Sequence, residues 1–238
     1  MGTLGSIGSA GTTGAVYITT DSLFTLARAN GSTWDYFYQG RQLTAMPSFA
    51  DNVNFATTTA SATSYGPGTR LAITGVAQFN TAAQVKTPVA ATFTATVGVI
   101  PNWSYGGSGG CGIIVSQNTT TTNPVIFLGT YQITGGALGA SYAQAASWSV
   151  WSGGTATSIF NGAAATTINN GALYYRIKET ASARVFYVSS DNGVTFLQVA
   201  TESNTAHFTT GKVGIGLTTG NASAPGNCTF IDYTETNP

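Results

Sequence analysis

Residues 91–100 read ATFTATVGVI, and this decamer decides the class of fold. Phe93, Ala95, Val97 and Val99 lie on one side of an extended chain, and Thr92, Thr94 and Thr96 on the other. Alternation with period two is the pattern of a strand with one face in a core, because successive side chains leave opposite faces. The same pattern recurs further along. Leu173, Tyr175 and Ile177 alternate with Tyr174, Arg176 and Lys178, and Val213, Ile215 and Leu217 with Gly214 and Gly216. A strand whose second face is glycine is crowded there by a neighbouring backbone or side chain. Further strands are expected at 70–74, 111–116, 124–131, 147–151, 185–189, 194–199 and 228–234. No helical period appears, so ten or so short antiparallel strands, divided by Gly, Asn and Pro clusters, predict a β-sandwich.

Composition agrees. Of 238 residues only 16 are charged, eight of each sign, while Thr numbers 40 and Gly 30. Three Glu and three Lys are too few for a helical protein. A hydrophobic content of 42 % with 11 % aromatics supplies a core and argues against disorder. Residues 1–15 (MGTLGSIGSAGTTGA) read as a glycine-rich arm. Asn30-Gly31, between LFTLAR and WDYFYQG, predicts a hairpin in a small β-element closed by Pro47. The expected organisation is therefore an arm and small β-element for docking or oligomerisation at 1–42, then a sandwich at 43–238.

Three segments in order resemble the concanavalin A-like lectin/glucanase sandwich. ATFTATVGVIP followed by GGCGIIVSQ resembles its pairing of a Thr/Ala/Val strand with a Gly-led apolar strand. LYYRIKETASARVFYVSSDNGVTFLQVA, residues 173–200, is similar to its strand, turn, strand and S-x-D-G-x-x-W hairpin. Here the hairpin carries an inserted Asn192, and Phe196 stands in place of the Trp. GKVGIGLTTGN followed by CTFIDYTE resembles the closing strand pair. The resemblance implies an antiparallel jelly roll. The front, Asn30-Gly31-Ser32-Thr33-Trp34-Asp35-Tyr36-Phe37 with Gly40 and Pro47, resembles bacteriophage virion proteins, tail-associated ones included. That implies assembly in the host cytoplasm, other virion proteins as partners, and a homotrimer.

Charge and motifs narrow the function. With zero net charge and eight basic residues spread from Arg28 to Lys212, no stripe is expected to neutralise phosphates, so nucleic acid is not the expected partner. No apolar run approaches a transmembrane length, and the first twenty residues hold no secretory pattern, so neither membrane insertion nor a leader is expected. Cys111 and Cys228 are expected to be small buried thiols, with one inter-sheet disulfide as the alternative. A retaining glycosidase needs two carboxylates about 5–5.5 Å apart. The E-x-D-x-x-E strand of the glucanases is missing, for none of Glu179, Glu202 and Glu235 has an acid two or three residues on. Glu179, after Lys178 at a strand end, is expected in a solvated ion pair.

The single His207 cannot build a His cluster for zinc and is expected at the surface or an edge. Gly106–Gly110 lacks the Lys-Ser/Thr of a phosphate loop and reads as a connection between strands. Asp51-Asn52-Val53-Asn54 offers oxygen atoms that suit Ca²⁺, but turn chemistry explains it equally well; no metal or cofactor is expected. Trp103 and Tyr105 flank a loop, and Trp148 and Trp151 bracket Ser149-Val150. If 147–151 is one strand, these two Trp leave opposite faces, one into the core and one outward. These four aromatics are the candidate carbohydrate-binding residues. The expected function is a virion structural protein that binds host-surface or environmental glycans without cleaving them, a neutral glycan being favoured by the neutral chain. The alternatives are a secreted bacterial carbohydrate-binding module or glycan-processing enzyme, and a decoration protein with no ligand.

Overall fold

The structure, a computed structural model, describes residues 16–18, 26–30, 34–38, 41–55, 60–65, 67–74, 80–103, 109–132, 141–149, 156–161, 173–219 and 226–237. Four short strands come first: β1 (Val16–Ile18), β2 (Leu26–Ala29), β3 (Trp34–Tyr38) and β4 (Arg41–Gln42), hydrogen-bonded in that order. The hairpin expected around Asn30-Gly31 is the β2–β3 pair, in which Ala29 faces Trp34. There follow β5 (Asp51–Val53), β6 (Ala60–Tyr65), β7 (Gly68–Ile73), β8 (Asn80–Lys86), β9 (Phe93–Trp103) and β10 (Gly109–Ser116). Next come β11 (Val125–Gln132), β12 (Ser141–Trp148), β13 (Ala156–Asn161) and β14 (Leu173–Glu179). The last are β15 (Ala183–Ser189), β16 (Leu197–Ser203), β17 (Lys212–Thr219) and β18 (Gly226–Thr236).

These later strands form two seven-stranded antiparallel sheets. One is ordered β13-β12-β11-β10-β17-β8-β5, the other β16-β15-β14-β9-β18-β7-β6. The expected all-β sandwich is present, with more and longer strands than the sequence marked out. Phe93, Ala95, Val97 and Val99 of β9 are fully buried between the sheets with Tyr175 and Ile177 of β14 and Ile215 and Leu217 of β17. Tyr175 also ties the sheets together, its hydroxyl sharing a 2.5 Å hydrogen bond with Thr130 of β11. Cys111 and Cys228, one from each sheet, are free buried thiols within this core. Burial, with the Cys111 sulfur alongside, pushes the Cys228 thiol well up.

Two features go beyond period-two reasoning. Ile113-Ile114-Val115 and Val125-Ile126-Phe127 run without polar interruption because both faces of their sheet are buried. The inward set joins the main core, and Ile114, Val125 and Phe127 join Val53, Ala83, Val85 and Ala146 in a second apolar layer outside. The expected crowding of the glycine face is real, since a Cβ on Gly216 would overlap the Ile114 side chain. The opposite sheet also carries a cover. Tyr38 and Leu43 pack on Tyr174 and Ile231, with Tyr36, Ile100 and Phe196 at the margin. Arg41 pins that contact: its Nε donates to Asp232 at 2.5 Å, its Nη1 donates to the Asn192 carbonyl at 3.1 Å, and it lies over the Tyr174 ring. Asp232 is buried at a β18 irregularity with φ +55° and also accepts the Thr44 amide at 2.8 Å.

Candidate ligand-binding cleft

The cleft is assembled from strand ends. β11 and β12 pair with Val125 opposite Trp148, and β12 and β13 pair with Ser147 opposite Thr157 and Trp148 opposite Ala156. β12 ends at Trp148, and Ser149 is already in a bend, so 147–151 is not one strand and the expected opposition of Trp148 and Trp151 across it lapses. Beside these ends passes the connection from β16 to β17. Together they enclose a cleft of about 390 Å³ lined by Pro124, Ser147, Ser149, Thr157, Ala206 and His207. Among the described residues the lining offers three hydroxyl-bearing side chains, one imidazole and no carboxylate.

The His207 wall is anchored from inside. His207 Nε2 lies 3.3 Å from Glu202 Oε2, and Glu202 Oε1 accepts Arg184 Nη1 at 2.8 Å. Arg184 is 0 % exposed and makes a two-pronged contact with Glu179: Nε to Oε2 at 2.9 Å and Nη2 to Oε1 at 3.2 Å. Its Nη2 also reaches the carbonyls of Asn204 and Phe208 and the Thr210 hydroxyl, and the guanidinium stands over the Phe208 ring. One buried cation thus holds β14, β15, β16 and the 204–210 connection together. Glu179 is not the solvated partner of Lys178. Its residue shares the inward face with Ile177, so it enters the sandwich and needs the buried guanidinium. Burial pushes its carboxyl up, while Arg184 and the Thr210 hydroxyl pull it down. Sequence reasoning missed this network, yet a signal was present: Arg184 alternates in step with Phe186, whose side chain is core.

The other candidates fall as follows. Trp103 ends β9 opposite Gly226 of β18, so Trp103 and Trp148 stand on different sheets. Their backbones are described and their side chains are not; Tyr105 and Trp151 lie outside the described residues. Trp148 is the one whose chain neighbours, Ser147 and Ser149, line the cleft. His207 is at the surface as expected. Asp51 faces Lys212 at 2.8 Å, the Asn52 side-chain oxygen accepts Gln84, and the Asn54 amide donates to the Thr81 carbonyl. Those oxygens thus serve sheet-edge contacts, as turn chemistry allows. Gly109 and Gly110 open β10 and are not connection residues, whereas 104–108 lie outside the described residues.

No protein-family model matches the chain. No curated protein matches it either. Solved structures do. A functionally unknown protein from Saccharomyces cerevisiae matches at TM-score 0.52 and 16 % identity, over 75 % of this chain and 92 % of that one. A legume lectin-like domain from Entamoeba histolytica matches at TM-score 0.49 and 7 % identity, over 79 % and 89 %. The CBM2 module of the evolved Dit of Lactobacillus casei BL23 phage J-1 matches at TM-score 0.45 and 9 % identity, over 73 % and 79 %. GH43 proteins also match, and the chain spans less than half of their length. At such identities the likeness concerns architecture alone, a two-sheet antiparallel sandwich.

Proposed function

We propose that this protein binds a glycan in the cleft between Thr157 and His207 without cleaving it, and that it does so as a structural component of a phage particle. The observation that carries the binding half is the cleft itself. Ser147, Ser149 and Thr157 supply hydroxyls at or next to strand ends, and His207 supplies an imidazole from the connection between β16 and β17. A few fixed polar groups in a concave site are what a sugar with many hydroxyls requires. The non-cleaving half is supported by the lining, which among the described residues offers no acid and nucleophile pair, and by Arg184, which engages both Glu179 and Glu202. The particle role rests on the resemblance of residues 30–47 and on the small N-terminal sheet, which offers an assembly element for a homotrimer.

Glycan arrays, followed by titration calorimetry on the best ligand, test the first two halves. Thr157→Arg should fill the cleft mouth and weaken binding tenfold or more with an unchanged melting midpoint. The ligand should be recovered intact after prolonged incubation. Blank arrays, or release of shorter sugars, would overturn the reading. Light scattering on the whole chain addresses assembly, with three times the 24.3 kDa chain mass expected. A monomer at high concentration refutes the trimer.

A further inference from the structure

Among the described residues, Arg28, Arg41, Lys86, Arg184 and Lys212 each pair with a carboxylate. Three described cations have no such pair: Arg70, Arg176 and Lys178. Strand alternation puts all three on one surface, the outer face of the β16–β6 sheet. Leu71 and Ile73 are core, so Arg70 points out; Tyr175 and Ile177 are core, so Arg176 and Lys178 point out. The middle of that face is covered by Tyr38 and Leu43; Arg176 stands at the margin of the cover against Phe196, and Lys178 lies two residues further along β14.

Their neighbours come from the register. Arg176 stands between Thr96 of β9 and Tyr187 of β15, Lys178 between Thr94 and Val185, and Thr96 is followed by Thr234 of β18. Arg176 is already held in place. Its Nε donates to the Thr96 hydroxyl at 3.0 Å, and its guanidinium lies 3.5 Å from the centre of the Phe196 ring. A guanidinium fixed in this way spends little freedom on a ligand and presents its outer N–H pair in the fork that matches a carboxylate. Lys178, two residues along the strand and about 7 Å away, adds a second positive point on the same face. Burial lowers the Arg176 pKa, Tyr187 opposes this and Arg41 adds to it, so an anion seated here would offset the cost of a partly desolvated charge.

We propose that this half-exposed part of the face, built on Arg176 and Lys178 with Tyr187 and the Thr94 and Thr234 hydroxyls beside them, is a second binding site whose ligand is a uronate-bearing acidic polysaccharide. The inference rests on the glycan-binding reading and adds to it a site and a charge class that linear spacing hid. The Tyr187, Thr94 and Thr234 hydroxyls beside the cations suit a sugar, and two cations match successive carboxylates. A nucleic acid would need a longer row of cations to neutralise its phosphates.

The test uses the full chain against oligogalacturonate, oligomannuronate and oligoglucuronate, with methyl-esterified oligogalacturonate as the uncharged control, followed by calorimetry at low and high salt. At least one uronate should bind, the ester at least tenfold more weakly, with affinity falling as salt rises. Lys178→Glu should abolish this binding and Arg176→Gln should weaken it tenfold or more. Lys178 supports no core contact, so that variant should melt as the parent does. Thr157→Arg in the cleft should leave uronate binding intact. No uronate binding, equal binding of the ester, or tighter binding of a thymidine 20-mer would overturn the proposal. A parent chain that binds no uronate but keeps cleft-dependent binding refutes this site alone; a parent chain that binds neither refutes glycan binding as a whole.

Discussion

Arg184→Met is the most informative single change to this fold. Methionine fills much of the same volume but leaves Glu179, 3 % exposed, and Glu202, with its side chain 11 % exposed, facing each other without a cation. The Asn204 and Phe208 carbonyls and the Thr210 hydroxyl lose a donor at the same time. Breaking a buried, hydrogen-bonded ion pair by removing one partner costs about 3–5 kcal/mol. Unfolding entropy of about 2.1 cal/mol/K per residue gives ~0.5 kcal/mol per degree for a chain of this length, so the midpoint should fall by roughly 6–10 °C. Differential scanning calorimetry at pH 7 reads this directly. The triple variant Arg184→Met, Glu179→Gln, Glu202→Gln should regain at least half of the loss, because no uncompensated charge remains. Glycan binding in the cleft should weaken in the single variant, since Glu202 anchors His207. A midpoint drop below 2 °C for Arg184→Met would show that water reaches these carboxylates and that the network is not what holds the 204–210 connection.

Two further expectations concern the 189–197 hairpin. Asn192 and Gly193 have φ of +58° and +76°, and the Val194 amide donates to the Asp191 carbonyl at 3.3 Å; a Cβ at Gly193 would approach Tyr174 Cδ1 to 2.9 Å. Gly193→Val therefore combines left-handed strain with a clash under the N-terminal sheet and should cost about 2–4 kcal/mol, read as a midpoint fall of several degrees; an unchanged midpoint refutes the turn. Asp191 accepts the Ser189 hydroxyl and then the Thr195 hydroxyl and amide, which hold its carboxyl far below the ordinary range. A depressed carboxyl stabilises the fold above its unfolded value of about 4, and that stabilisation fades as pH falls through the folded value. The midpoint advantage of the parent over Asp191→Ala should thus be full at pH 6 and shrink towards pH 2, and an advantage independent of pH would refute this account.

The sequence by itself determined the class of fold and much of its core. ATFTATVGVI, LYYRIKE and KVGIGLTT carry their inward residues at every second position, and alternation is a local property that needs no partner to be read. The φ > 0 turn at Asp191-Asn192-Gly193 was equally local, since only a few residue types accept it. Only the tertiary structure decided which strands lie side by side. Alternation places a residue on a face but says nothing of what covers that face. Hence Glu179, read as solvated beside Lys178, turns inward to Arg184, and the apolar runs at 113–115 and 125–127 prove buried on both sides. The cleft gathers Pro124, Ser147, Ser149, Thr157, Ala206 and His207 from distant stretches, and no spacing in the chain announces it. Arg70 joins Arg176 and Lys178 on one surface only because β18 and β9 come between their strands in the sheet. Charge and hydroxyl groups act through space over a few ångströms, so a site built from them becomes visible only once the register of the strands sets those distances.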